Sequence, residues 1–406
     1  MAKLSDKQAQ MIADRLVARV NEANTYFLEQ IGGHLKKIKT LTPTDAHKLI
    51  QILKYGDNYD NIIKNIEKIT NLNIKEIDTI FKEYAKTDML FYKQFYNYKG
   101  IPFKPYNENI ALVTQTKALA NIVKNELYNY TRANVLSYSM KDLNGNITTL
   151  GLRETYNKIL DEAFLKISQG KDTFDTGMRS VLEQLGGSGL RTVDFESGRS
   201  VRLDTIVRTQ LRGRLRELHN EVELIANDDI DFDGVEISVH LNPAPDHQDV
   251  QGKQFYTEEY LKLQNSGMAK TVDNEVIDLH LVDKNGVPYE TFRPISELNC
   301  YHYIFGIVVG VSEPEYSKAQ LKQIIEDNNK GFELDGKHYT NYEGTQLQRR
   351  IESEIRKQKD IKTLAEASGD DLLKAKAQTK ITQLRAKYKQ ITLASGLKPK
   401  MKRTRI

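Results

Sequence analysis

Two short segments of the chain concentrate the residue types that bind metals or move protons. The first, VEISVHLNPAPDHQDVQGKQF, contains His240 and His247, and the second, NCYHY, contains Cys300 and His302. Cysteine thiolate and imidazole are common zinc ligands, and four protein ligands close a tetrahedral structural site. Cys300 and His302 stand two residues apart, so on an extended backbone their side chains point to the same face. If folding brings the two segments together, these four residues are predicted to bind a structural zinc ion.

Two other interpretations fit the same residues. In the simpler one, Cys300 is a small buried side chain and the histidines make ordinary hydrogen bonds in the core or in turns. In the other, the protein is a metal-dependent nuclease or hydrolase centred on His240, His247 and His302. His247 is then the general base, and Lys253 stabilises a developing anion. Two carboxylates flank this base in the sequence, Asp246 and Asp249.

No standard catalytic signature accompanies these residues. The chain has no G-x-x-x-x-G-K-[ST], no G-x-G-x-x-G after a strand, no H-E-x-x-H, no G-x-S-x-G and no C-x-x-C. Nothing marks a nucleophile or a second set of metal ligands. The sequence therefore predicts a protein that is not an enzyme, with no cofactor other than the zinc ion considered above.

The segments that must position the cluster differ in pattern from the rest of the chain. DGVEISVH alternates and is rich in β-branched residues, which predicts a strand ending at His240. NEVIDLHLVDKNGVPYETF has an Asn-Gly turn between two apolar runs, and YIFGIVVGV is another strand-like stretch. Residues 233–315 are therefore predicted to form a small α+β module.

The preceding sequence is patterned as long charged helices. Ser5 begins a capping box, and apolar residues recur at helical spacing up to Ile31. A helix is therefore predicted to end at the glycine pair Gly32 and Gly33. The helical pattern then continues in short units joined by turns, including one that begins near Pro43.

In the middle of the chain, DTFDTGMRSVLEQLGGSGL predicts a helix that ends at GGSG. The following sequence, RLDTIVRTQLRGRLRELHNEVELIAN, predicts one long helix from about Arg202 to Asn227. Its arginines do not share a single face, and they are either solvated or paired within the protein, or they contact DNA. They are Arg208, Arg212, Arg214 and Arg216.

The fold class is accordingly α+β and predominantly α-helical, with long helices around a small embedded α+β module. The predicted units are a helical N-terminal domain (1–140), a helical middle segment (150–232), the α+β module (233–315), C-terminal helices (316–396) and a basic tail (397–406).

Composition narrows the class of protein further. Of the 406 residues, 28% are charged and 39% hydrophobic, which suits solvated helices with narrow apolar stripes. The chain has no apolar run of about 20 residues and no apolar signal segment, so we expect no membrane anchor and synthesis in a cytoplasm. Cys300 is the single cysteine, which excludes an intramolecular disulfide.

The end of the chain, LKPKMKRTRI, is strongly basic although the net charge of the protein is only +4. Such a segment is either a solvated tail or an arm that contacts DNA, because phosphate contacts depend on local positive charge. With the arginines of the long helix, it leaves a DNA-binding protein as a further alternative. The candidate nucleic-acid-binding residues are Lys398, Lys400, Lys402, Arg403 and Arg405.

Between about residues 200 and 360 several features follow one another in a specific order. They are a strand ending in His240, then His247, the triplet Gln251-Gly252-Lys253, Asn299-Cys300 with His302, Ser312 to Pro314 after an apolar run, and a helix containing YEGTQLQRRIE. This order resembles the phage minor capsid protein 2 family, which is similar to the Mu F type head morphogenesis proteins.

The resemblance implies a minor capsid protein, a structural protein present at low copy in the phage head. Such a protein is associated with the portal vertex and acts in head assembly, DNA packaging or genome delivery. The implied partners are the portal protein and other capsid proteins, with packaged DNA as a further candidate. The implied location is the virion, after synthesis in the cytoplasm of a bacterial host.

Overall fold

The structure, a computed structural model, describes residues 6–39, 57–131, 137–141, 147–188, 191–193, 200–279, 295–296, 300 and 302–405. The helices in these ranges are α1 (Asp6–Lys39), α2 (Asp57–Lys99), α3 (Ile110–Thr131), α4 (Leu152–Ser168), α5 (Phe174–Ser188), α6 (Leu203–Ile230), α7 (Thr257–Ser266), α8 (Lys318–Lys330), α9 (Asn341–Ser368) and α10 (Asp371–Ser395), with a 3₁₀ turn at Met401–Thr404. The strands are β1 (Ser137–Lys141), β2 (Ile147–Gly151), β3 (Arg191–Val193), β4 (Ser200–Arg202), β5 (Gly234–Ile237), β6 (Gln254–Tyr256), β7 (Met268–Lys270), β8 (Val276–Asp278), β9 (Ile304–Ile307), β10 (Phe332–Leu334) and β11 (Lys337–Tyr339).

Helix α6 is the centre of the helical body, and it packs against α1, α2 and α3. It covers the range predicted for one long helix. Its buried residues recur every three or four positions, as expected for a helix with one apolar stripe. They include Val207, Leu211, Leu215, Leu218 and Val222. The predicted fold class, predominantly α-helical with a small α+β module, is confirmed.

The predicted end of α1 at its glycine pair is wrong, because the helix continues through Gly32 and Gly33 to Lys39. A Cβ atom on Gly32 would lie 2.5 Å from Ala367 Cβ and 2.9 Å from the Leu364 carbonyl oxygen, both in α9. Glycine at this position therefore lets two helices approach closely, and it does not end the helix.

Helix α5 also contains a glycine pair that packs closely against another helix. It ends at Ser188, inside the predicted GGSG stop, and it includes Gly186 and Gly187. A Cβ atom on Gly186 would lie 2.7 Å from Ile361 Cα, again in α9. The backbone of α9 thus contacts glycine on two neighbouring helices, and this contact outweighs the low helix propensity of glycine.

Gly186→Ala is expected to lower the free energy of unfolding by about 2 kcal/mol, because the added methyl group meets the backbone of α9. Gly213→Ala is the matched control, since it lies inside α6 with no atom within 4 Å of an added Cβ. That change should instead raise the free energy of unfolding by up to about 1 kcal/mol through helix propensity. Urea unfolding of both variants measures the difference, and stabilisation by both changes would contradict the close approach of α5 to α9.

Helix α2 is one long helix where the sequence predicted several short units. Its C-terminal half carries aromatic side chains that enter the helical core, and Tyr92 and Tyr96 are fully buried. This burial makes one continuous helix favourable, because a break would expose the rings. The helix predicted to begin near Pro43 lies outside the described residues.

The α+β module contains a three-stranded antiparallel sheet in the order β6-β5-β9. β5 pairs with β9 in a register that sets Gly234 opposite Ile307 and Ile237 opposite Ile304. Because successive side chains of a strand point to opposite faces, Ile304 enters the core of the module while Phe305 enters the helical core. β9 is therefore the strand that joins the two cores. The Asn-Gly turn predicted in this module lies outside the described residues.

The basic tail folds back onto the helices. Thr404 is 2% exposed, and residues 401–404 form the 3₁₀ turn. Carbonyl oxygens of the tail accept hydrogen bonds from Arg356, Lys359 and Asn21, which belong to α9 and α1. The tail is thus held in place through hydrogen bonds to its backbone. No helix in the described part of the chain combines the length and apolar character that crossing a bilayer requires.

Candidate metal centre and the adjoining cleft

The pairing of β5 with β9 brings the two halves of the predicted metal site together. Antiparallel contact continues beyond the strands, since Ser238 N donates to the Tyr303 carbonyl at 2.9 Å and Tyr303 N donates to Ser238 Oγ at 2.8 Å. Residues that follow β5 therefore lie beside residues that precede β9. As a result, the rings of His240 and His302 lie 4.6 Å apart between centroids, in an edge-to-face arrangement.

The loop after β5 is shaped by its own hydrogen bonds. His247 N donates to the Ala244 carbonyl at 3.1 Å, which closes a turn. The buried Gln251 side chain accepts from His240 N at 2.8 Å, so it ties the two ends of the loop together. Gly252, at a φ of +70°, donates to the Ile237 carbonyl at 2.7 Å and returns the chain to β5. These bonds fix the position of His247 above the end of the sheet.

Three of the four predicted ligands converge in the interior. Cys300 Sγ lies 3.4 Å from His247 Nδ1 and 3.3 Å from His302 Nδ1. All three side chains are buried, and their ligand atoms lie within 4.8 Å of one another. Two ligand atoms, one sulfur and one nitrogen, on a tetrahedral zinc ion are separated by about 3.5 Å, given zinc bond lengths of about 2.3 and 2.0 Å. The spacing and the donor set therefore fit zinc.

The fourth predicted ligand, His240, stands next to this group. Its ring packs on the ring of His302, and it is less buried than the other three. Its position lies between the cluster and an open cleft, because both His240 and His302 line that cleft.

The electrostatic environment favours the thiolate form of Cys300. Burial raises the pKa of the thiol, but the hydrogen bond and charge of His247 and the backbone N–H groups of His302 and Ser296 lower it more. The pKa of Cys300 therefore lies below its usual value, and the thiolate is the form that binds metals. On its other side, His247 Nε2 faces Asp246 Oδ2 at 4.0 Å, where a carboxylate can orient a ligand histidine.

Helix α6 contacts the segment that carries the cluster through two residues that the sequence analysis did not assign to this site. Arg216 donates to the Cys300 carbonyl, and His219 Nε2 lies 2.6 Å from the Ile304 carbonyl. His219 Nδ1 also lies 2.8 Å from Asp88 Oδ2 of α2, and both side chains are fully buried. Burial lowers the pKa of His219, but the charge and hydrogen bond of Asp88 raise it more, so its pKa lies above its usual value. The signal in the sequence that could have identified His219 is its position among the apolar residues of α6.

The residues of the hydrolytic interpretation differ in their access to solvent. His247, the proposed base, is 0% exposed, whereas His240 and His302 line the cleft beside it. Lys253 is paired with Glu275. Burial raises the pKa of Asp249, and Lys253 opposes this only in part.

Most arginines of α6 are used within the protein. Arg208 pairs with Asp14, and Arg214 pairs with Glu126 and Glu217. Arg212 lines the cleft beside the cluster, a cavity of about 920 Å³. Three of the five predicted nucleic-acid-binding residues line the same cleft, namely Lys398, Lys400 and Arg403, whereas Lys402 and Arg405 are not part of its wall.

Together these features define a class of protein, a helical scaffold whose embedded α+β module is organised around a buried cysteine and histidine cluster. The sequence model of the family Phage minor capsid protein 2 matches residues 4–392, nearly the whole chain. The chain belongs to this family, as its order of motifs predicted. No curated protein and no solved structure matches it significantly. The family makes it a structural component of a phage capsid, located in the virion, with other capsid proteins as partners.

Proposed function

We propose that the protein is a minor head protein without enzymatic activity that docks on the portal vertex and acts in head assembly, DNA packaging or genome delivery. The observation that carries this is the burial of the cluster in a protein of the minor capsid family: His247 and Cys300 are no more than 1% exposed. Side chains enclosed in this way stabilise a fold, whereas a catalytic site needs a position open to substrate. The long charged helices around the module are suited to docking on other head proteins.

Chemical cross-linking of purified virions and procapsids tests the docking site. We expect cross-links between surface lysines of α2, α3 or α10 and the portal protein. Cross-links made only to the major capsid protein, at every stage of assembly, would contradict a place at the portal vertex. Particles assembled without portal protein are the matched control, and they should lack this protein.

We further propose that the cluster binds one structural zinc ion. His247, Cys300 and His302 are its ligands, and His240 is the fourth. Bound zinc would supply a further link between the loop after β5 and the segment before β9. The support is the convergence of a low-pKa thiol and two imidazoles at distances that suit zinc.

Elemental analysis of the purified protein is expected to find about one equivalent of zinc. His247→Gln and Cys300→Ser should each lose most of it, and the cobalt-substituted protein should lose its thiolate absorption in Cys300→Ser. His338→Gln is the control, because this exposed histidine lies in the β10–β11 hairpin, where its Nε2 is 2.9 Å from the Lys330 carbonyl. Less than about a tenth of an equivalent in the unaltered protein would end the zinc interpretation.

A further inference from the structure

A deep cleft separates the α+β module from the C-terminal helices. Its walls come from α6, the loop after β5, α8, the first turns of α9 and the segment that follows α10. Among the described residues of its wall, five side chains are cationic and one, Asp327, is acidic. The cations are Arg212, Arg349, Lys398, Lys400 and Arg403. They come from three separate parts of the sequence, so only the folded chain brings their charges together.

The positive charges in this region are close enough to influence one another. Burial lowers the pKa of Arg403, Glu352 opposes that effect, and the neighbouring charges of Arg349 and Arg208 lower the pKa further. Glu352 lies 3.9 Å from Arg403 and is itself bonded to Tyr388. Since the described wall of the cleft contributes five cations and one carboxylate, an anionic ligand would meet a positive potential there.

The other lining residues indicate which anion fits. The amide side chains of Asn242 and Gln346 also line the wall, and such groups donate hydrogen bonds to phosphate oxygens. Asn341, Thr345 and Gln348 line it too, but their donor atoms already bond to the Asp327 carbonyl, the Tyr342 carbonyl and the Thr392 hydroxyl. The rings of Tyr342 and His240 also face the cleft, and aromatic rings beside a basic groove are typical of sites that hold a nucleic-acid strand.

An acidic protein segment is a poorer match. Protein interfaces concentrate their energy in apolar and aromatic anchors that fill desolvated pockets. The apolar members of this wall are scattered among polar ones, and the exposed Leu241 is 68% accessible at its rim. We infer that the cleft between the module and the C-terminal helices binds the phosphate backbone of a nucleic-acid strand.

This inference goes beyond docking at the portal vertex and does not depend on it, because binding is measured with the isolated protein. In this inference the basic tail does not contact nucleic acid alone, because the site is formed by side chains from several parts of the fold. Lys398 contributes from the tail, while Arg212 and Arg349 contribute from helices. Lys402 and Arg405 lie outside the cleft wall and are expected to contribute little.

Fluorescence anisotropy with a short labelled oligonucleotide, single-stranded and as a duplex, tests the site in the full-length protein. The triple variant Arg212→Gln, Arg349→Gln, Lys398→Gln should bind about tenfold more weakly or worse at low salt. Its slope of log affinity against log salt concentration should be smaller by about 2, because three phosphate contacts are lost. Circular dichroism confirms that the variant is folded.

The matched control is Lys82→Gln, Lys117→Gln, Lys166→Gln, which removes the same charge from exposed helical positions away from the cleft. It should keep both the affinity and the salt slope. If it weakens binding as much as the cleft variant, binding is due to general surface charge and the inference is wrong. If the cleft variant does not fold, Lys398→Glu against Lys82→Glu makes the same comparison at exposed positions.

Two competitors distinguish a nucleic-acid strand from other negatively charged ligands of the cleft. If poly-glutamate displaces the oligonucleotide at equal charge concentration, the cleft is a site for an acidic protein segment. If pyrophosphate displaces the oligonucleotide at equal phosphate concentration, the cleft is a site for a small anion. Either result overturns a nucleic-acid site, as would the absence of any binding at low salt, and weak competition by both supports it.

Discussion

Arg202→Leu is expected to lower the free energy of unfolding by about 3–5 kcal/mol at pH 7, the usual result of removing one partner from a buried ion pair. Arg202 lies at the start of α6, with Nε 3.2 Å from Asp204 Oδ1 and an Nη atom 2.8 Å from Asp360 Oδ2 of α9. Asn24 of α1 donates to the other oxygen of Asp360 at 3.1 Å. The substitution leaves Asp360, which is 0% exposed, without its cation at the junction of three helices.

The loss should depend on pH in a defined direction. Burial raises the pKa of Asp360 to about 6, although Arg202 opposes this shift. Without Arg202 the pKa rises further, while in the unfolded chain it stays near 4. The folded variant therefore holds a proton that the unfolded chain releases in this interval, and its stability falls as the pH rises from about 4 up to the raised pKa of Asp360. We expect a larger difference from the unaltered protein at pH 7 than at pH 5, measured by urea unfolding at both values.

A partly exposed pair of the same type provides the control. Arg179→Leu breaks the 3.2 Å pair with Asp370, but the Arg179 side chain is 27% exposed, so water replaces part of the interaction. A loss of about 1 kcal/mol or less is expected there. The double variant Arg202→Leu, Asp360→Leu should recover much of the loss, because it removes the buried charge together with its partner. Equal losses in Arg202→Leu and Arg179→Leu would show that the buried network does not stabilise the helix junction.

His219→Gln is expected to lower the free energy of unfolding by about 3 kcal/mol near pH 6, because it leaves the buried Asp88 carboxylate without its cation. The pair connects α6 to α2, and the second ring nitrogen of His219 holds the Ile304 carbonyl of β9. One substitution therefore weakens the helical body and its attachment to the module.

The stability difference caused by His219→Gln should change with pH in the opposite direction to that caused by Arg202→Leu. The pKa of His219 is raised in the folded protein, so its stabilising contribution is complete below the unfolded value of about 6.5 and is lost as the pH rises through the higher folded value. The difference between the unaltered protein and His219→Gln should therefore shrink as the pH rises above 6.5. The exposed His338→Gln should change stability by about 0.5 kcal/mol or less at any of these pH values. A difference for His219→Gln that grows with pH would contradict a charged pair.

Local patterns in the sequence were sufficient for a large part of this structure. The long helix α6, the change to strands after residue 233 and the inward face shared by Cys300 and His302 all follow from periodicities of a few residues. These patterns record which side chains are buried or share a face, so they predicted the fold class and three members of the cluster. The order of motifs also predicted the family.

Patterns that extend over a few residues do not show which part of the chain a buried residue packs against. The same glycine pair is found at helix ends and at close helix contacts, and only the position of α9 assigns Gly32 and Gly186 to the second role. Likewise, Asp88 and His219 are 131 positions apart, and their pairing depends on how α2 packs against α6.

The sequence by itself thus determined the fold class, the long helix α6 and the residue types of the cysteine and histidine cluster, because these depend on neighbours in the chain. Only the tertiary structure decided that His247 is sealed from solvent, and that Arg212, Arg349 and Lys398 line one cleft. Burial and summed charge depend on distances through space, and segments far apart in the chain set those distances when they pack.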